Sequence, residues 1–317
     1  MSSSSANTAT KACSTAIAHR IRHTFMHFKQ VKRVLARAAE LIASDWGEAE
    51  PEHLVVLGET GVGKSTILEQ ILRKNPRTHH ATFTEVPVLY VEVPARCTIG
   101  RLCAALLQAL GSPFWNKGDD GDRQDALVAL MKKCKVRLVI IDEINHLIER
   151  GKQRTHYALA DWVKQMGKLG GASLLLAGTP RAALLLKTNE QLGDRFAEVI
   201  TLRPLSAEGD AKELRAALKV FGRMLGGLDS FDIAAAAQTK TFGFATGGRL
   251  RAIRRLLIRA VQIACRPTKP ALTWDVMGQA FLEVIYPEAP ATRNPFSPKF
   301  DGKPLAGRGE PFAPREE

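Results

Sequence analysis

Residues Gly58-Glu59-Thr60-Gly61-Val62-Gly63-Lys64-Ser65, followed by Thr66, fit the pattern G-x-x-x-x-G-K-S/T. Three glycines free the backbone to curl, so that successive N–H groups converge on one point at the start of a helix. Converging amides and a helix amino terminus make a cradle for anions. A lone lysine there reaches the β- and γ-phosphates of a nucleoside triphosphate, and the Ser65 hydroxyl is placed to ligate Mg²⁺. The pattern carries weight only where a strand precedes it and a helix follows. "LVVL" before Gly58 and the helically spaced "ILEQIL" after Thr66 supply both.

A second group of residues complements the first. In "RLVIIDEINHL" an apolar run ends in two carboxylates, Asp142 and Glu143. At the carboxyl end of a central parallel strand they face the place where such sheets bind ligands. Asp142 would hold Mg²⁺, directly or through water, and Glu143 would activate an attacking water as a general base. The same pair would also suit a helix start. In "ASLLLAGTPRAALLL" a further strand ends at Thr179, a γ-phosphate or water sensor or a simple turn residue. In "NEQLGDRFAEVITL" Arg195 stands just before the next strand, placed to reach a neighbouring subunit's γ-phosphate or to remain a surface cation. "ATGGRLRAIRRLLIRA" offers Arg249 or Arg251 as a second sensor.

These residues need a scaffold, and the chain patterns as one. Strands are expected at Leu54–Leu57, Val86–Val93, Leu138–Ile141, Ser173–Ala177 and Val199–Leu202, with helical stretches between them. This alternation predicts a parallel sheet covered by helices. A helical lead-in occupies residues 16–50, the α/β nucleotide domain 51–205, and a smaller all-helical lid domain 206–286. Residues 1–15, rich in Ser, Thr and Ala, read as disordered, and the proline-rich 287–317 as an extended tail.

Composition narrows the partners. The 317 residues are 45% hydrophobic and 24% charged, as in ordinary globular proteins. No apolar run approaches the ~20 residues of a membrane span, and no secretory leader is evident. Five cysteines with no C-x-x-C pair argue against disulfides or a zinc site and for a reducing cytoplasm. A net charge of +13 favours polyanions through counterion release. Arg96 and Arg101 in "PARCTIGR", with Lys152 and Arg154 in the loop after Glu149, are the preferred phosphate contacts. The row Arg251, Arg255 and Arg259 is an alternative that also suits a solvated or intersubunit face.

The ordered set of P-loop, D-E strand, sensor strand, pre-strand arginine and helical lid resembles the AAA+ ATPases. Within them it is most similar to the TnsC/TniB-type regulators of DNA transposition. The likeness rests on "HRIRHTFMHFKQVKRVLARAAELI", "GETGVGKST", "LVIIDEINHL", "LLLAGTP", "QLGDRF" and "TGGRLRAIRRLLIRA", with "NPF" in the tail. It implies an α/β AAA+ P-loop NTPase with a helical lid that binds ATP and Mg²⁺. It further implies a homo-oligomeric ring or filament on duplex DNA, sequence-indifferent, which recruits a transposase and works with a targeting factor. Loops on this side of the sheet would then face the DNA. The nucleotide motifs alone equally fit a helicase-loader-like remodelling ATPase, or a scaffold that binds ATP and hardly turns it over.

Overall fold

The computed structural model describes residues 2–45, 49–93, 97–148, 159, 161–166, 170–188, 190–205, 211–226, 228–266 and 270–313. The chain forms two compact units, one of residues 27–202 and one of residues 1–26 with 203–317.

The first unit is built on strands β1 (Leu54–Gly58), β4 (Val88–Glu92), β5 (Leu138–Asp142), β6 (Ser173–Gly178) and β7 (Glu198–Leu202). They form one sheet in the order β4-β5-β6-β1-β7, and every pairing in it is parallel. Two-residue strands β2 (Thr78–His79) and β3 (Thr84–Glu85) pair antiparallel outside that sheet. The three inner strands β5, β6 and β1 are buried at every position, as expected where helices cover both faces. Edge strand β7 alternates, with Ile200 and Leu202 inward and Val199 and Thr201 exposed. The expected parallel sheet is therefore the observed one, each strand lying within two residues of its predicted bounds.

Helix Lys29–Ala43 of this unit buries Val31, Val34, Ala38 and Leu41 at helical spacing. Helix Lys64–Lys74, which leaves the glycine-rich loop, buries Ile67, Leu68 and Ile71. Helix Asp120–Lys133 opens with a capping box, in which Asp119 accepts from the Asp122 amide and Asp122 from the Asp119 amide. Trp162 and Phe196 are the largest side chains of the core, and the Trp162 indole donates to Cys103 Sγ at 3.2 Å.

The second unit is helical. It comprises Ser2–His23, Lys212–Met224, Ala236–Thr246, Leu250–Ala264 and Trp274–Val284, with short parallel strands β8 (Asp229–Ser230) and β9 (Ala271–Leu272). Three features differ from the reading of the sequence. Residues 2–15 are helical rather than disordered; the stretch has no Gly or Pro to stop a helix that is anchored by buried Ile17, Ala18 and Ile21. The single lead-in helix is broken over residues 24–28, where the Thr24 hydroxyl donates to the Arg20 carbonyl at 2.7 Å. Its apolar residues serve different cores, Ile17 and Ile21 in this unit and Val31 to Leu41 in the sheet unit.

The proline-rich segment also folds. Phe296 is 3% exposed and meets the rings of Trp274, Phe242 and Phe281 with centroids 5.2, 5.9 and 6.4 Å away. The Arg293 guanidinium pairs with Glu310 at 2.6 Å and Asp301 at 2.8 Å, and donates to the Pro304 carbonyl at 2.7 Å. One aromatic anchor and one multiply bonded arginine order a segment without periodic pattern. Among the described residues no helix is long and apolar enough to cross a membrane.

His53, immediately before β1, is 3% exposed; its Nδ1 accepts the Leu174 amide of β6 at 3.2 Å. Burial pushes its pKa from 6.5 down to about 4. The unfolded chain therefore takes up this proton first. The contribution of neutral His53 is complete above pH 6.5 and is lost as pH falls from 6.5 toward 4, by up to about 3 kcal/mol. Chemical denaturation of His53→Asn, which keeps an acceptor but cannot titrate, should show a shallower loss of stability across that window. An unchanged pH profile would contradict this assignment.

Candidate nucleotide site

Strand β1 ends at Gly58, where the chain must turn without a side chain. A Cβ there would lie 2.8 Å from Val62 Cγ2 and 3.1 Å from the Leu202 carbonyl oxygen. Gly61 and Gly63 take φ of 88° and 112°, left-handed backbone that glycine adopts freely. Gly63 is the N-cap of helix Lys64–Lys74 and has no side chain to cap it. Amides at a helix amino terminus that lack an intrahelical carbonyl partner are the donors such a loop can offer an anion. Lys64 is only 7% exposed; its ammonium donates to the Gly58 carbonyl at 2.6 Å and the Glu59 carbonyl at 3.3 Å. Glu59, Thr60 and Ser65 are exposed, Thr66 half-buried, and Val62 buried.

The carboxyl end of β5 delivers the acids. Asp142 is 2% exposed, with Oδ1 accepting the Glu143 amide at 2.9 Å and Oδ2 accepting the Tyr90 hydroxyl at 3.4 Å. Burial raises its pKa above the ordinary carboxylate value, opposed by the Glu143 amide and by the positive charge of Lys64. Glu143 follows at φ 56°, a left-handed turn unusual for a side-chain-bearing residue. Burial, then the charge of Asp142, raises the Tyr90 pKa well above the ordinary phenol value, so Tyr90 stays a donor at neutral pH.

Strand β6 lies between β5 and β1, and Gly178 is level with Leu57, one residue before the loop. Thr179 thus emerges beside the loop on one side and the acids on the other. Its Oγ1 is buried and has no hydrogen-bond partner. A basic glycine-rich loop, a buried carboxylate and an orphaned hydroxyl at one sheet edge fit a magnesium-bound triphosphate. In such a site Lys64, Ser65 and the loop amides would hold the phosphates, and Ser65 and Asp142 the metal.

Other predicted residues fall elsewhere. Arg195 precedes β7, at the amino ends of the strands and so at the opposite end of the sheet from its own glycine-rich loop. There it pairs with Glu50 at 3.1 Å and lines a cavity of about 870 Å³ with Arg33, Arg37, His53 and Lys164. Arg249 belongs to the helical unit, where it is the N-cap of Leu250–Ala264 and its guanidinium lies 4.8 Å from the Phe312 ring centroid. Of the expected DNA contacts, Arg96, Lys152 and Arg154 lie outside the described residues. Arg101 is exposed in the first turn of helix Ile99–Ala109. In the alternative row, Arg251 and Arg255 are exposed while Arg259 pairs with Glu283. Sequence reading missed Tyr90 and Asn145, whose roles follow from which strands are neighbours.

Asp142 gives a direct test of this geometry. Its ionised form is disfavoured by burial, so at neutral pH the carboxylate costs stability, a cost that disappears as pH falls through its raised pKa. Without nucleotide or metal, Asp142→Asn should have a thermal midpoint higher by a few degrees, the scale of a ~1 kcal/mol gain. Added Mg²⁺ with nucleotide should stabilise the variant far less than the unaltered protein. A variant that is destabilised alone, or stabilised equally by the additions, would contradict this geometry.

Comparison with known proteins agrees with this architecture. None of the curated proteins matches the chain in sequence. Among solved structures, the ORC1 protein of Aeropyrum pernix in complex with DNA is similar with a TM-score of 0.57 and 20% identity, over 80% of this chain and 65% of that one. The Aeropyrum pernix ORC2 protein in its ADPNP–ADP complexes has a TM-score of 0.61 at 14% identity, over 83% and 71%. Cdc6p of Pyrobaculum aerophilum has a TM-score of 0.63 at 14% identity, over 84% and 70%. The chain thus spans about two thirds of the length of the first of these proteins, and the shared feature is the AAA+ fold. The profile of the bacterial TniB proteins matches residues 17–204, through the lead-in helix, the glycine-rich loop, the acidic strand end and Arg195. The chain is a member of the TniB family.

Proposed function

We propose that this protein is an ATP-hydrolysing, DNA-binding regulator of transposition that assembles on duplex DNA and recruits a transposase or a targeting factor. The observation that carries the ATPase reading is the meeting of Lys64, Asp142 and Thr179 at one sheet edge. The transposition reading rests on membership of the TniB family, and DNA binding on the net charge of +13.

In this mechanism the loop amides around Gly61 and Gly63 hold the phosphate oxygens, and Lys64 turns from the Gly58 and Glu59 carbonyls to the β- and γ-phosphates. Ser65 and Asp142 would hold Mg²⁺, which when bound would neutralise charge on the phosphates. Glu143 accepts the proton of the attacking water. Thr179 donates its free hydroxyl to the γ-phosphate or the water. Arg195, at the far end of the sheet, serves the nucleotide of a neighbouring copy in a ring or filament, and Arg249 acts from the lid. DNA contacts fall on phosphates, which position without reading sequence.

Phosphate release measured with and without duplex DNA tests this reading. Glu143→Gln should lower turnover by about 10²–10⁴-fold while retaining nucleotide binding. DNA affinity should fall steeply between 50 and 200 mM salt, whatever the DNA sequence. Equal turnover from both proteins would remove Glu143 from the general-base role and leave an ATP-bound scaffold as the better description. Salt-independent binding would remove the phosphate contacts.

A further inference from the structure

The turn after β5 and the turn after β6 are joined by a residue that the nucleotide motifs do not include. Asn145 is 5% exposed, and its Oδ1 accepts the backbone amide of Thr179 at 3.3 Å. One residue earlier, the Ile144 amide donates to the Ala177 carbonyl at 3.0 Å. The two turns approach so closely because Gly178 has no side chain. A Cβ on it would stand 2.8 Å from Ile144 Cγ2 and 3.2 Å from both Asn145 Oδ1 and Ala182 Cβ. The Thr179 amide is thus held from the turn that carries Asp142 and Glu143, while its hydroxyl is buried without a partner. A buried hydroxyl left unpaired is destabilising, so the Thr179 hydroxyl itself contributes no stability in the protein alone.

We propose that Asn145 is a positioning residue that presets Thr179 for the terminal phosphate, so that ATP is distinguished from ADP through the Asn145–Thr179 hydrogen bond. The inference rests on the reading of Thr179 as a γ-phosphate sensor and deepens it. Asn145 need touch neither nucleotide nor metal. Its amide oxygen fixes the direction of the Thr179 backbone, and therefore of its hydroxyl. The same contact ties the sensor to the turn bearing Glu143, so displacement of either turn is felt by the other.

Calorimetric titration separates the two levels. Dissociation constants for ADP and for a non-hydrolysable ATP analogue, each with Mg²⁺, are measured for the unaltered protein, Thr179→Val, Asn145→Leu and Asn145→Ser. Thr179→Val removes an unpaired hydroxyl, so it should fold at least as stably and lose about tenfold of the preference for the ATP analogue. Asn145→Leu should lose about three- to tenfold of that preference with ADP affinity unchanged, and Asn145→Ser, which restores a short acceptor, should recover part of it. An unchanged preference in Thr179→Val would overturn the sensor reading itself. A loss in Thr179→Val with none in Asn145→Leu would overturn the positioning role alone. Equal weakening of ADP and the ATP analogue in Asn145→Leu would make Asn145 a structural support only, which also overturns the proposal.

Discussion

One sheet edge holds a lysine ammonium and a carboxylate, both almost closed to water, and the rest of the structure serves that arrangement. Charges out of water are costly unless hydrogen-bonded or paired. Lys64 meets the requirement through two backbone carbonyls of its own loop, and Asp142 through the Glu143 amide and the Tyr90 hydroxyl. Those partners stay in place because β1 and β5 are buried at every position, with β6 wedged between them. Such a site gives up stability for the capacity to receive a highly charged ligand.

The sheet and the site were legible to different depths. All five strands of the parallel sheet stood out as short apolar runs, and the Gly-Lys-Ser loop and the Asp-Glu strand end were readable because each is contiguous. Strand order is not contiguous information. Tyr90 reaches Asp142 because β4 neighbours β5, and Asn145 reaches Thr179 because β6 follows it. Neither relation is visible along the chain. The proline-rich segment misled for a different reason. Phe296 and Arg293 order it through contacts with no period, and composition reports only periodic or segregated signals. The lead-in helix misled because one helical pattern serves two cores, and a short break at Thr24–Phe28 leaves the spacing almost undisturbed.

The two ends of the sheet divide the functional proposal. The carboxyl end carries the residues of the sheet unit that a single copy would bring to its own nucleotide, Lys64, Ser65, Asp142, Glu143 and Thr179. The amino edge carries Arg195, held by Glu50 beside Arg33 and Arg37 over a polar cavity. A protein that used both ends would depend on a second copy to complete its chemistry, as the proposed assembly on DNA requires, through a heterologous, head-to-tail contact between copies.

The measurement nearest the central claim is titration of the purified, folded protein with ATP in the presence and absence of Mg²⁺. We expect saturable heat that strengthens with the metal, and an affinity at least about tenfold weaker in Lys64→Ala, as for removal of a hydrogen bond to a charged group. No heat with the unaltered protein, or an unchanged affinity in the variant, would contradict the assignment of this sheet edge to a triphosphate.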